Sequence, residues 1–180
     1  SVEELLREVA ELVKRVDEDL RRLLEEVRRS NEEVIRRLEE ILKRIEEENR
    51  KVVEELRRRG VSEDLVRESK RLVDESRRVI EKLVKESRDS VERTRETVDR
   101  LREELKRLVE EIKKMVEDNS SEETVKRLLD ELRELLERLK RTIEELLKRN
   151  RDLLRDAEEK ARRLLEENRK LLKKARDTAT

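Results

Sequence analysis

Apolar residues recur along most of the chain with a period that an α-helix explains. In the first third of the sequence, Leu5, Leu23 and Ile41 hold equivalent places, each 18 residues after the previous one, and the same interval relates Leu128 to Leu146. Because 18 residues complete five turns of 3.6 residues, the pattern predicts long helices that each carry one apolar face roughly 120° wide. A period of 3.6 rather than 3.5 also predicts nearly straight helices with little supercoil.

The first break in this pattern surrounds Gly60, the one glycine of the chain. Glycine adopts the left-handed conformation that commonly ends a helix. We expect Val61 to pack back on the last turn and Ser62 to cap the next helix. The segment therefore predicts a short turn between two helices.

The second break lies further along, where Asn119 can hold the left-handed position at the end of a helix. Ser120 and Glu123 have the spacing of a capping box, in which the serine caps the helix and the glutamate reaches back. Ser1 and Glu4 form the same motif at the start of the sequence. The second break is thus also a short turn followed by a capped helix.

These breaks predict an all-α fold in which the whole chain forms one domain. The expected helices cover about 2–58, 63–117 and 122–177, with loops at about 59–62 and 118–121. Loops this short force neighbouring helices to be antiparallel, so the sequence predicts an up-down-up three-helix bundle. At about 1.5 Å per residue, each helix is roughly 80 to 85 Å long.

Some polar residues occupy positions that the repeat otherwise fills with apolar ones. We call a set of positions 18 residues apart a column. Asn31 and Asn49 share a column with Val13, and Asn150 and Asn168 share one with Leu132. The second helix carries its polar residues in the columns of Leu105, Ile112 and Leu108, namely Ser69 and Ser87, Ser76 and Thr94, and Ser90.

The heights of these residues along the helices, at about 1.5 Å per residue, place them in two layers. The first layer comprises Asn31, Ser87, Ser90 and Asn150, and the second comprises Asn49, Ser69, Ser76 and Asn168. Thr94 and Thr97 are candidates to extend the first layer, although Thr97 lies near the edge of the apolar face. Buried amides and hydroxyls find partners only when the helices are correctly aligned, so we interpret both layers as devices that specify helix register.

Composition narrows the possible functions. Charged residues make up 56% of the chain, yet 50 Lys and Arg balance 50 Asp and Glu. This balance does not favour nucleic acid or an anionic membrane, and no apolar run approaches the roughly 18 residues of a membrane span. The chain has no His and no Cys, so we expect no metal site, no cofactor and no enzyme activity. We expect a soluble protein, and the start of the sequence shows no signal peptide.

These features together resemble a family of computationally designed helical bundles with buried hydrogen-bond networks. The shared features are a uniform Glu, Lys and Arg surface, a Leu, Ile and Val core without aromatic residues, minimal loops, and Asn and Ser layers. The resemblance covers the whole chain and implies a structural scaffold with no natural biochemical role. It also implies no cellular compartment beyond that of an expression host.

Two functions remain open on the sequence alone. In the first, which we favour, the chain is a stable monomeric three-helix rod that needs no partner. In the second, it is a binding module, either the subunit of a homo-oligomer or a component that accepts a further helix in a groove. An apolar face of about 120° suits both, so the periodicity does not choose between them.

Overall fold

A computed structural model of the chain describes residues 2–60, 63–118 and 121–178, and it is a three-helix bundle. Helix α1 spans Val2–Arg58, α2 spans Glu63–Glu117 and α3 spans Glu122–Thr178. The predicted all-α fold is confirmed, and over the described residues none of the helices has a stretch apolar enough to cross a membrane. The predicted straightness of the helices stays a prediction.

Helix α1 ends as the sequence predicts. Gly60 has a φ of 72°, in the left-handed region, and its N–H donates to the carbonyl of Arg57 over 3.1 Å. The N–H of Arg59 donates to the carbonyl of Glu55, also over 3.1 Å. These bonds satisfy carbonyls that the end of a helix would otherwise leave without partners. Val61 and Ser62, to which the sequence analysis assigns packing and capping roles, lie outside the described residues.

Helix α3 begins at a different serine from the one that the sequence motif indicates. The Oγ of Ser121 accepts a hydrogen bond from the N–H of Thr124 over 3.3 Å and lies 2.8 Å from the Thr124 hydroxyl. Ser121 therefore caps α3 in the structure. The motif residues Ser1, Asn119 and Ser120 lie outside the described residues.

The packing of the helices divides the chain into two compact units. Unit 1 comprises Ser1–Arg29 and Ser90–Asn150, and unit 2 comprises Ser30–Asp89 and Arg151–Thr180. Each helix contributes one segment to each unit. Both units bury apolar residues from all three helices, and we describe each by itself.

The core of unit 1 is built mainly from leucine and valine. Leu20, Leu23 and Val27 of α1 are at most 1% exposed, and they belong to one cluster with residues of the other two helices. The buried members from α2 and α3 are Val98, Leu105, Ile112, Leu129, Leu132, Leu136 and Leu139. Each such side chain stabilises the fold by roughly 1.5 to 3 kcal/mol relative to an exposed position.

The core of unit 2 has two clusters. The larger contains Leu38, Ile45 and Ile80, each at most 1% exposed, together with the small residues Ala157 and Ala161 of α3. The smaller cluster comprises Val52, Leu56 and Leu172, with Leu65 and Ala175 packed against it.

Contacts in unit 2 establish the directions of the helices. From Asn31 to Asn49, α1 advances 18 residues, while their partners on α2 go back by the same number, from Ser87 to Ser69. Helices α1 and α2 are therefore antiparallel. The ion pairs between α1 and α3 keep a constant difference of 121 residues, as in Arg37 with Glu158, Glu48 with Arg169 and Glu55 with Arg176. A constant difference requires α1 and α3 to be parallel, as the up-down-up prediction states.

Candidate functional site: the buried polar residues

The polar network of unit 2 joins all three helices through Asn49. Its Nδ2 donates to the Oδ1 of Asn168 on α3 over 3.0 Å and to the carbonyl of Ile45 on its own helix over 2.6 Å. Its Oδ1 accepts a hydrogen bond from the hydroxyl of Ser69 on α2 over 2.8 Å. Asn49 is 2% exposed, Ser69 5% and Asn168 1%, so these bonds form away from water.

One atom of this network lacks a partner. The Nδ2 of Asn168 donates no hydrogen bond, and it is the one buried side-chain polar atom of which this is true in the part of the chain that the structure describes. An unpartnered buried donor costs about 1 to 3 kcal/mol relative to a satisfied one. The network is therefore balanced at Asn49 and incomplete at Asn168.

A second polar contact in unit 2 involves Asn31, which is fully buried. Its Nδ2 donates to the backbone carbonyl of Ser87 over 2.7 Å, not to the hydroxyl. The Ser87 hydroxyl instead donates to the carbonyl of Leu83 one turn back on its own helix, over 3.0 Å. The sequence analysis expects the hydroxyls of α2 to bind the asparagines, and at Ser87 this expectation is wrong because the helix carbonyl takes that role.

The corresponding polar pair of unit 1 connects α2 with α3. The hydroxyl of Ser90 donates to the Oδ1 of Asn150 over 2.9 Å. Thr94 is buried, but its hydroxyl donates to the carbonyl of Ser90 on its own helix over 2.8 Å. The structure thus gives Asn31 and Asn150 one described partner each within their own units, and the single four-residue layer stays a prediction.

The remaining candidates contribute less. Ser76 is 3% exposed, as its column predicts, but none of the hydrogen bonds among the described residues includes it. It is therefore not a member of the network of Asn49, contrary to expectation. Thr97 is only partly buried and its hydroxyl donates to the carbonyl of Arg93, so it does not extend a network.

Sequence reasoning misses one polar contact between helices in unit 1. Asp17 of α1 and Arg102 of α2 form a part-buried ion pair, with 2.7 Å between Oδ1 and Nε. Both stand in apolar columns, Asp17 with Ile35 and Arg102 with Val84. The comparison of columns that finds the asparagines would have found this pair as well.

The outer faces carry ion pairs, and these shift several pKa values. The hydrogen bond from Arg28 lowers the pKa of Glu25, with a further contribution from Arg29. On α3, the hydrogen bond to Glu48 raises the pKa of Arg169. These groups are exposed, so each pair stabilises the fold only slightly.

The chemistry that this arrangement offers is hydrogen bonding. The networks contain amides, hydroxyls and carbonyls, which are poor general bases and do not titrate near neutral pH. Among residues 2–60, 63–118 and 121–178, no group of three carboxylate side chains lies in a position to hold a metal ion.

Comparison with known proteins adds no assignment. No protein-family model, no curated protein and no solved structure matches the chain. The functional argument therefore depends on the residues and contacts described above.

Proposed function

We propose that the chain is a designed structural scaffold, a monomeric three-helix bundle whose buried polar residues specify the alignment of its helices. The observation that carries this proposal is the network of Asn49, Ser69 and Asn168, which contains one residue from each helix and is at most 5% exposed. The proposal gives the chain no catalytic role, since neither His nor Cys occurs in it.

The energetic logic separates alignment from stability. Leucine at both asparagine positions would bury more apolar surface and leave no polar atom unsatisfied. Asparagine contributes less stability there but binds its partners in one alignment only, because another alignment would leave the amides against leucine and isoleucine. The uniform charged surface and the resemblance to designed bundles support a design origin.

The test compares the parent with the double variant Asn49→Leu/Asn168→Leu. Since the chain has no cysteine, spin labels can be attached at cysteines replacing Lys51 and Lys170, exposed residues of α1 and α3 in unit 2. We expect one narrow distance distribution for the parent. The variant should unfold at an equal or higher denaturant concentration but show a broader distribution or more than one distance.

Ser76→Ala is the matched control, because Ser76 is equally buried but lies outside the network. It should leave the distance distribution unchanged. A single narrow distance in the double asparagine variant would contradict the role in alignment.

A second candidate function is assembly, favoured by apolar side chains on the surface of unit 2. Val79 is 38% exposed and Leu171 39%, and Leu171 lines a groove of about 310 Å³ together with Leu65 and Leu72. Light scattering of the parent decides between the two functions. A mass of 21.9 kDa over a wide concentration range supports the monomer, whereas a multiple of that mass supports assembly.

A further inference from the structure

The buried polar residues of α2 leave one misalignment insufficiently opposed. Ser76 follows Ser69 by seven residues, and Thr94 follows Ser87 by seven. Seven residues are almost two full turns, so a slide of α2 by this distance keeps nearly the same face inward. In such a slide, Ser76 replaces Ser69 opposite Asn49 and offers the same hydroxyl donor.

The second asparagine of α1 is equally tolerant of this slide. Asn31 donates to the backbone carbonyl of Ser87, and every residue of α2 has such a carbonyl. Thr94 would therefore accept the same hydrogen bond. The asparagine networks alone distinguish poorly between the observed alignment and one displaced by seven residues, or about 10 Å.

The ion pair of Asp17 and Arg102 has no such substitute. Arg102 stands in the column of Val66 and Val84, and the residue seven positions later is Val109. After the same slide, the carboxylate of Asp17 would face a valine where it now faces a guanidinium.

The geometry of the pair makes this loss costly. Asp17 uses both carboxylate oxygens, Oδ1 at 2.7 Å from Nε of Arg102 and Oδ2 at 3.2 Å from Nε of Arg21. The side chain of Asp17 is 29% exposed, and the groove around the pair also contains Val13 and Leu105. A partly desolvated carboxylate that loses one of two cationic partners to an apolar residue is destabilised.

We propose that Asp17 and Arg102 are the residues that exclude the seven-residue slide of α2 along α1. This inference rests on the proposed function, in which buried polar residues set helix alignment, and it adds a second, ionic determinant in unit 1. The asparagines oppose slides that face them with apolar residues, and the ion pair opposes the slide that faces them with other hydroxyls.

The test replaces both residues with the apolar members of their own columns, as Asp17→Ile/Arg102→Val. Spin labels at cysteines replacing Arg15 and Glu104, exposed residues of α1 and α2 in unit 1, report the alignment. We expect helicity to be kept and the denaturant midpoint to be equal or higher, because apolar residues of similar size often stabilise where they replace an ion pair. We also expect a second, longer distance that the parent does not show.

The matched control is Glu46→Gln/Arg77→Gln. This pair also joins α1 to α2, over 3.0 Å, but its members stand in polar columns on the surface. Its removal should leave one distance. A third variant, Asp17→Ile/Arg102→Val with Ser76→Ala and Thr94→Val, should lose most of the second distance, because the slide then lacks its hydroxyl partner for Asn49.

A single narrow distance in Asp17→Ile/Arg102→Val would overturn the inference. That result would leave the proposed function standing if Asn49→Leu/Asn168→Leu still broadens the distances in unit 2. If the asparagine variant keeps one distance while the ion-pair variant gains a second, the proposed role of the asparagines fails and the role of the ion pair remains.

Discussion

At the scale of single residues, Asn49 and Asn168 look equivalent in sequence but differ in their bonds. Asn49 uses both Nδ2 hydrogens and its Oδ1, whereas Asn168 accepts one hydrogen bond and has an unpartnered Nδ2. Replacing Asn168 removes an unsatisfied donor, and Asn49 still keeps the Ile45 carbonyl. Replacing Asn49 leaves Ser69 and Asn168 without their partner.

We therefore predict opposite effects of two otherwise identical substitutions. Asn168→Leu should raise the free energy of unfolding, and Asn49→Leu should lower it by about 1 to 3 kcal/mol, the cost of buried polar groups without partners. Guanidinium denaturation followed by circular dichroism measures both. A lower midpoint for Asn168→Leu than for Asn49→Leu would show that the two amides are not used as described.

The sequence identifies which residues are polar and buried, but not which atoms bond. All nine buried polar residues, among them Asn31 and Ser87, were found by comparing columns. Height along a helix follows from the rise per residue, and this places Asn31 beside Ser87. Whether the hydroxyl or the carbonyl of Ser87 meets the amide depends on its side-chain rotamer, and no height calculation contains that information.

At the scale of helices, the turns determine where each element ends. Gly60 holds a φ of 72°, and a Cβ added there would meet nothing within 4 Å. The cost of a side chain at this position is therefore conformational rather than steric contact with neighbours. Residues other than glycine and asparagine rarely adopt the left-handed conformation.

We predict that Gly60→Ala destabilises the fold by about 1 kcal/mol, the usual penalty for a left-handed alanine. Gly60→Asn should cost less, because asparagine tolerates this conformation better. The midpoints of guanidinium denaturation of the two variants give the comparison. Equal losses would mean that the penalty does not come from the backbone conformation.

The helix boundaries were predictable from these turns almost to the residue. Gly60 announces the end of α1 because one residue type dominates the left-handed position. The start of α3 was harder, because Ser120 and Ser121 are adjacent and both are good capping residues. The capping-box motif points to Ser120, while the described hydrogen bonds to Thr124 come from Ser121.

At the scale of the whole molecule, the composition predicts how stability responds to pH. The chain has no His, Cys or Tyr, so no side chain has an ordinary pKa between about 5 and 9. The pKa of Glu25 is lowered in the folded state, chiefly by the hydrogen bond from Arg28. Its contribution is therefore present above the unfolded pKa and is lost as the pH falls through the folded pKa. The raised pKa of Arg169 acts only at strongly alkaline pH.

We accordingly predict one denaturant midpoint from about pH 6 to pH 9 and a decline below about pH 4.5, where carboxylates take up protons. Guanidinium titrations at several pH values measure this profile. The variant Glu25→Gln should lose slightly less stability than the parent on acidification. A midpoint that changes between pH 6 and pH 9 would contradict the prediction.

The constant difference of 121 residues between α1 and α3 in unit 2 bears on how this sequence can change. Deleting one residue between Arg37 and Glu48 would turn every later side chain of α1 by about 100° and break the ion pairs with Arg169 and Arg176 together. Substitutions at the surface would disturb only their own contacts. The sequence is thus tolerant of spelling changes but not of frame changes, and it can lengthen without conflict only by whole 18-residue cassettes added to all three helices at once.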